Sequence, residues 1–362
     1  MKLLIVLSSN DFDNFTRRAT VEAICKQHPE TTLLFFNGIK GFPISKPSNK
    51  KLTWKAYYSL SLGQRKNALR KAEIAISGLY WKNFIQLFDT IFLTDPNQEL
   101  LMDYSNRQQK IVYLIRDPNI LQSSRNKERE LRILQTAEIV FATSKNLAEI
   151  YLPKYYGFQH PNIHFWPNTV DLNIWDYTSL EKQIKPKGQK VIGMAGNIGN
   201  KRTDFALLEY VADNMTECEI QFAGKISPNS LDNPSLQKFL NSKNVKYLGF
   251  VPFAQLPATL INWDVGLVTE CQDEYARFMH HNKVYQYLAM GLPVVSMKIH
   301  NDYERLQPFV QSVASYNDYI EAIDIALQYS KQEKFGNKCI EKALENSAEK
   351  RAEDFLKWVN KP

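Results

Sequence analysis

Apolar residues in this chain come in short continuous runs, and the polar stretches between them often repeat at helical spacing. Residues 2–7 (Lys-Leu-Leu-Ile-Val-Leu) form the first run and predict a buried strand. A helix is predicted over 14–27, a second strand over 32–36, and a helix near 64–77. The runs 90–93, 110–115, 139–142 and 163–166 predict further strands. Between them, 126–137 reads as a charged helix, and Ser144 is placed to cap a helix through residue 151. The second half restarts the rhythm: strand 190–195, helix 204–214, strands 219–223 and 245–247, helix 253–261, strand 265–268, helix 284–290, strand 293–296. The tail from residue 316 is helical, and 348–359 reads as a closing helix.

Alternating strands and helices predict an α/β chain with open parallel sheets covered on both faces. The stretch 171–189 breaks the pattern with polar residues, Pro186 and Gly188, and reads as a linker. The expected organisation is therefore a doubly wound domain over 1–170, the linker, a second doubly wound domain over 190–345, and a closing segment over 346–362. Two such domains would leave a cleft outside the carboxyl ends of both sheets.

Composition narrows the class. Hydrophobic content of 44% and charged content of 23% fit ordinary globular domains. The 4 cysteines show no CxxC spacing, which excludes a disulfide framework or zinc site as the organising element and favours a reducing compartment. The opening run could pass for a signal peptide, but it is short and lacks a small-residue cleavage site, so a strand is expected. Net charge is +7, and residues 40–82 hold ten Lys/Arg against one acid, Glu73, a local net of +9. Trp54, Tyr57, Tyr58, Tyr80 and Trp81 stand in the same segment. That mixture suits a peripheral anionic membrane surface; a plain solvated face is the alternative. Nucleic acid is not the expected partner, because no nucleic-acid motif accompanies the patch.

Four loops of the second half carry candidate chemistry. In Gly193-Met-Ala-Gly196-Asn197-Ile-Gly199-Asn-Lys201-Arg202, glycines allow close backbone approach, and Lys201, Arg202 and a following helix start favour a diphosphate. Thr203 or Asp204 would cap that helix. The loop matches neither the P-loop nor the dinucleotide fingerprint. Gly224-Lys225 ends a strand with another backbone-access point. Phe250-Val251, within Gly249-Phe-Val-Pro252, offers backbone groups to a planar base or is a plain strand exit. In His281-Asn282-Lys283-Val-Tyr-Gln286, Asn282 and Lys283 read as loop residues before the helix. Lys283 can hold a phosphate there and Gln286 a polyol one turn on, or the segment is an ordinary helix with surface polar residues. Glu270 either meets a sugar or is a surface acid. The adjacent His280 and His281 rarely point to one metal, so His281 is read as a phosphate or sugar contact and no metal site is expected.

Together these loops resemble the nucleotide-binding domain of GT-B glycosyltransferases, especially the group-4-like bacterial enzymes that build capsule, exopolysaccharide and teichuronic acid. That group's motif P-x-K-x-x-E-Y-L-A-x-G-x-P-V-V appears here as Asn282-Lys283-Val-Tyr-Gln286-Tyr-Leu-Ala-Met-Gly291-Leu-Pro293-Val-Val. Phe165-Trp-Pro-Asn-Thr-Val-Asp171 resembles its P-N-G-V-D junction, and Ala137-Glu-Ile-Val-Phe-Ala-Thr-Ser144 a characteristic strand. The resemblance covers most of the chain and is strongest over 137–296.

It implies a transferase moving a hexosyl or uronosyl group from a nucleotide sugar, first of all a UDP-sugar, to a glycan or lipid-linked acceptor. The enzyme would be cytoplasmic, peripheral at the inner face of the membrane. Arg202 and Lys283 would stabilise the leaving diphosphate without a required metal or other cofactor. Gln286 stands where the family often has a ribose-binding Glu; Gln keeps one carbonyl acceptor and gains a donor. The E-x7-E pair of many retaining members is absent, since Phe278 stands eight residues before Gln286. Lys283 with Gln286 instead resembles the membrane-associated glucuronosyltransferases of xanthan-type polysaccharide synthesis. An inverting transfer needs a base, expected from the first domain across the cleft. Asp117, at the forced turn Arg116-Asp117-Pro118, is the first candidate, with a turn cap as its alternative. Asp13 is second, with Asp11 behind it. Other readings are a GT-B epimerase-like or phosphorylase-like enzyme, or a non-catalytic component of a polysaccharide assembly complex.

Overall fold

A run such as Leu3–Leu7 is apolar at every position, so both its faces must be buried, and a parallel sheet with helices on each side meets that need. The structure, a computed structural model, describes residues 1–362 except 10, 14, 16, 39–43, 60–66, 184, 200, 201, 362 and the side chain of Asn67. The chain divides into two compact units. The first holds Met1–Pro167, Phe278–His280 and Ala348–Pro362; the second holds Asn168–Arg277 and His281–Ser347.

In the first unit the strands are β1 (Leu3–Leu7), β2 (Thr31–Gly38), β3 (Thr53–Ser59), β4 (Thr90–Leu93), β5 (Lys110–Ile115), β6 (Ile139–Ala142) and β7 (Ile163–Phe165), with helices α1 (Arg18–Gln27), α2 (Asn67–Ile85), α3 (Asn119–Gln122), α4 (Asn126–Thr136) and α5 (Leu152–Tyr156) between them. The sheet is parallel, in the order β3-β2-β1-β4-β5-β6-β7. The closing helix Ala348–Val359 completes this unit's core. Its buried residues Ala348, Ala352, Phe355 and Val359 recur at helical spacing, and Phe355 packs 4.7 Å from Phe92. Trp166 Nε1 donates to Arg351 O at 3.0 Å, tying that helix to the end of β7.

The second unit holds β8 (Lys190–Ala195), α6 (Phe205–Asn214), β9 (Cys218–Ala223), α7 (Pro234–Leu240), β10 (Val245–Tyr247), α8 (Leu256–Leu260), β11 (Val265–Val268), α9 (Asn282–Ala289), β12 (Val294–Met297), β13 (Val310–Val313), α10 (Tyr316–Tyr329) and α11 (Glu333–Leu344). Its sheet is also parallel, in the order β10-β9-β8-β11-β12-β13. The chain leaves β8 toward β9 on one side and reaches β11 on the other. The β8/β11 boundary is therefore the topological switch point, where open α/β sheets form a crevice.

Several boundaries differ from the sequence pattern. The segment 171–189 is not a free linker: Trp175 is buried in the second unit's core 5.7 Å from Phe253, and Lys185 pairs with Asp264 at 2.7 Å. One large aromatic anchors an otherwise polar stretch. The strand β3 was hidden because it lies at the sheet edge and is only partly buried, so its apolar alternation is weak. The helix expected near 64–77 begins in part outside the described residues, and α2 runs on to Ile85. Gly78 does not end it, because Phe84 and Ile85 are anchored in the core beyond. Likewise α1 starts at Arg18, and residues 14 and 16 of the expected helix lie outside the described residues. The helix α9 starts at Asn282 rather than Val284, so Asn282 and Lys283 form its first turn instead of preceding it.

Candidate functional site

At the second unit's switch point, the loops after β8, β9, β10 and β11 are linked in a chain through their backbones. Gly196 N donates to Ala223 O at 2.9 Å, Gly224 N to Gly249 O at 2.8 Å, and Ile198 N to Lys225 O at 2.8 Å. Asp204 N donates to Thr269 O and Cys271 N to Arg202 O, each at 2.9 Å, which brings Arg202 beside Glu270. Glycine is required here for contact as well as conformation. A Cβ at Gly224 would lie 1.8 Å from Gly196 O, and Gly196 itself has φ +129°. The result is a loop layer with almost no side-chain bulk beneath Lys283, whose Nζ is 3.6 Å from where a Gly196 Cβ would be.

Lys283 Nζ donates to Glu270 Oε1 at 2.9 Å, and His281 Nδ1 lies 3.9 Å from the same oxygen. All three groups are largely buried. Burial works against the Lys283 charge, but the Glu270 carboxylate outweighs it and holds the ammonium above its usual range. Burial likewise works against the Glu270 charge, but Lys283 and then His281 outweigh it and hold that carboxyl below its usual range. Burial pushes the His281 imidazole down to about 4, with Glu270 opposing and Lys283 adding to the depression. His281 is thus neutral near pH 7. Among the described residues its Nε2 is buried with no hydrogen-bond partner, as is Asn282 Oδ1. The first turn of α9 also has no side-chain cap. Buried polar atoms left open beside an ion pair mark a place where a polar ligand would complete the bonding.

A cavity of about 620 Å³ lies alongside, lined by Asn197, Gly199, Arg202, Lys225 and residues 226–230. Arg202 stacks over Tyr275 at 5.7 Å and Lys225 over Phe250 at 4.4 Å. Phe250 is 58% exposed, while Val251 packs partly buried against the core. Gln286 is half-buried on α9, one turn beyond Lys283. Lys201 lies outside the described residues.

The cap expected at Thr203 or Asp204 forms at Asp204, and it narrows the reading of that helix start. The start of α6 does not wait for an outside anion: Asp204 caps it, its Oδ1 accepting from Leu207 N at 3.0 Å and its Oδ2 from Tyr316 Oη at 2.7 Å. The positive end of that helix already faces a carboxylate, so Arg202 rather than the helix dipole is the cationic element there. Gly199 has no positive φ, and its carbonyl closes the turn by accepting from Arg202 N and Thr203 N. Tyr287, to which the sequence pattern assigns no role, accepts from Ala195 N through its hydroxyl at 2.8 Å and pins the base of the glycine loop. A Tyr in a buried helix face carries no signal that separates packing from pinning.

In the first unit, Asp117 pairs with Arg116 through Oδ2 at 2.9 Å, and Arg17 is buried close by, 5.3 Å over the Trp166 ring. Burial, repulsion from Arg116 and attraction to Asp117 together leave the Arg17 guanidinium down at about 9. Asp13 accepts from Ser48 N and from Ser48 Oγ at 2.9 Å, which makes it a clamp on the following loop. Phe278 is 1% exposed and packs edge-on to Tyr151 at 5.5 Å, and its carbonyl accepts from Ser144 Oγ at 2.8 Å. That position serves the first unit's core.

No protein-family model matches the chain. Over 190 residues it is 25% identical to TuaH of Bacillus subtilis (strain 168), a candidate teichuronic acid biosynthesis glycosyltransferase; the match covers 51% of this chain and 46% of that protein. The chain thus spans about half the length of this curated relative. Among solved structures, it resembles Anabaena HepE in complex with UDP and glucose, with a TM-score of 0.71 at 13% identity over 99% of both chains. It also resembles the lipopolysaccharide outer core galactosyltransferase WaaB, with a TM-score of 0.72 at 12% identity over 99% of both chains. The sucrose-phosphate synthase of Thermosynechococcus elongatus gives a TM-score of 0.72 at 12% identity over 99% of this chain and 98% of that one. The fold is GT-B, built from two Rossmann-like units.

Proposed function

We propose that this chain is a glycosyltransferase that moves a sugar from a nucleotide sugar, most simply a UDP-sugar, to a glycan or lipid-linked acceptor in surface polysaccharide synthesis. The observation that carries the reading is the switch-point cluster. A buried Lys283–Glu270 pair stands at an uncapped helix start, above two glycines in backbone contact, with Arg202 and a cavity alongside. The UDP bound to HepE and the teichuronic acid role assigned to TuaH support it.

In this reading Lys283 turns from Glu270 to the donor diphosphate, and Arg202 meets the same charge from the loop after β8. As the bond to the sugar breaks, negative charge grows on the leaving diphosphate, and both cations stabilise it in place, so no metal is required. Glu270, released from Lys283, accepts a hydroxyl of the donor sugar. The neutral His281 imidazole and Asn282 Oδ1 take further hydroxyls. Gln286 binds the ribose, and the backbone at Phe250-Val251 meets the base edge, with Gly196, Asn197, Gly199, Gly224 and Lys225 forming the walls. Asp117 is assigned as the base for the acceptor hydroxyl, through Oδ1, the oxygen outside its Arg116 pair. Asp13, with its carboxylate on Ser48, is better suited to holding the loop. The basic segment 40–82 is assigned to an anionic membrane surface at the cell's inner face.

A thermal-shift series over nucleotides and nucleotide sugars tests the reading, because a ligand that binds only the folded state raises the melting temperature. UDP and at least one UDP-sugar are expected to do so, with slow hydrolysis of that sugar lost in Lys283→Ala. If no nucleotide shifts the transition, the proposal is wrong. If a UDP-sugar binds, is transferred, and Asp117→Ala transfers at the wild-type rate, the base is misassigned. Binding without any transfer or hydrolysis would favour a non-catalytic component instead.

A further inference from the structure

The helix α2 exposes an apolar face that the first unit's core does not use. Its inner side is accounted for: Phe84 and Ile85 are buried, and Trp81 packs beside them. On the opposite side Ile76 is 79% exposed, Leu79 76% and Tyr80 56%. Ala68, Ala72 and Ala75 are exposed as well. At about 100° per residue these positions form one continuous stripe along the helix, and Leu87, just past its end, is also exposed.

The charges around this stripe have one sign. Lys71 and Lys82 are exposed along one edge of it, and Lys55 Nζ donates to Tyr80 Oη at 2.8 Å. Lys46, Lys50 and Lys51 are exposed in the loop before β3. Glu73, the lone acid of residues 40–82, is 2% exposed and accepts from Tyr57 Oη at 2.6 Å and Ser59 Oγ at 3.1 Å. Among the described residues, the exposed charge of the segment is therefore entirely positive. A second copy of this chain docking here would bring lysines against lysines. An anionic bilayer offers hydrocarbon for the stripe and phosphate for its edge. No described helix is long and apolar enough to cross a membrane, and α2 carries Arg70, Lys71, Glu73 and Lys82 along its length.

We propose that α2 lies in the plane of an anionic membrane, with Ile76, Leu79 and Tyr80 seated in the boundary between headgroups and acyl chains and Lys71 and Lys82 on lipid phosphates. The docking surface rests on the membrane assignment proposed above for residues 40–82, and it is separable from the donor site, because every donor-site residue belongs to the other unit. Co-sedimentation of the full chain with vesicles tests it. The wild type is expected to bind phosphatidylglycerol-containing vesicles and to stay in solution with pure phosphatidylcholine. Ile76→Glu/Leu79→Glu should weaken binding roughly 50-fold, and Lys71→Gln and Lys82→Gln about 5-fold each. Unchanged melting and UDP-induced thermal shift in these exposed-face variants would confirm that the fold is kept. Binding by the double Glu variant equal to wild type overturns the proposal, as does failure of the wild type to sediment. A concentration-dependent dimer that the same variant dissociates also overturns it, assigning the face to a second copy.

Discussion

The carboxylates of the first unit and the polar groups at the second unit's switch point are buried to similar depth but satisfied differently. Glu130 on α4 is fully buried and accepts from Tyr113 Oη, Asn119 Nδ2, Tyr151 Oη and Tyr156 Oη at 2.6–2.9 Å. Glu99 and Asp103 share Arg70 and Arg132. These networks close on themselves and make the first unit rigid. At the switch point, one ion pair stands beside His281 Nε2 and Asn282 Oδ1, neither of which has a hydrogen-bond partner among the described residues. A closed network stabilises the fold, whereas an incomplete one sacrifices stability to keep bonds ready for a ligand.

The sharpest break in that comparison is steric. Gly224→Ala would drive a methyl into Gly196 O at 1.8 Å, and is expected to cost roughly 4 kcal/mol or more in urea denaturation, with loss of nucleotide binding. Gly157→Ala in the first unit, at φ +78° with open space around it, should cost only about 1–2 kcal/mol. If the two cost the same, the glycine contact does not organise the second unit.

Charge removal comes next. Lys283→Ala should lower UDP affinity about 100-fold by calorimetry, roughly 3 kcal/mol, through loss of a buried charged partner. Arg116→Ala, which breaks the Asp117 pair, should leave UDP affinity unchanged. Equal losses would show that nucleotide binding does not reside in the second unit alone.

Acidification should separate the two networks by sign. The His281 imidazole is depressed from 6.5 to about 4 on folding, so the unfolded chain binds the proton first. Its contribution is whole above about pH 6.5 and is lost as pH falls toward 4, amounting to about 2 kcal/mol at pH 5. Glu130 runs the other way. Burial raises its carboxyl against the four donors, so its protonation favours the folded state at low pH, and that gain disappears as pH rises through the folded value. Stability measured from pH 7 to 5 should fall less steeply in His281→Asn than in wild type. Identical slopes would mean the imidazole is not held neutral by burial.

The smallest effect concerns ligand choice. Gln286→Glu restores the acid common at this position in the resembled family and should change UDP affinity less than about 10-fold, roughly 1 kcal/mol, since one carbonyl acceptor is present in both. A larger change would place Gln286 on the diphosphate rather than the ribose.

Much of the fold was legible because the buried strands are apolar at every position. The boundaries of β4, β5, β6, β8 and β11 follow directly from the apolar runs. The edge strand β3 and the strand β13 were not legible, because a partly exposed strand mixes polar and apolar residues without a clear period. The loops bearing Gly196, Gly224, Glu270 and Lys283 stood out as glycines and charges at strand-to-helix ends. The Asp204 cap on α6 stood out too, but the pairing of the loops did not, since the Lys283–Glu270 contact has no sequence spacing of its own.

Local pattern therefore determined the parallel α/β character of both halves, the glycine-bearing loops and the strongly basic segment 40–82, because periodicity, backbone freedom and net charge are properties of neighbouring residues. Long-range folding alone determined which groups meet. The switch in strand order at β8/β11 brings the loop of Gly196 to that of Glu270. In the first unit, long-range packing buried Glu73 inward and left Ile76 and Leu79 outward, recruited Ala348–Val359, and put Phe278 in a core instead of a site. These outcomes depend on contacts between residues far apart in the chain, which no local window of sequence contains.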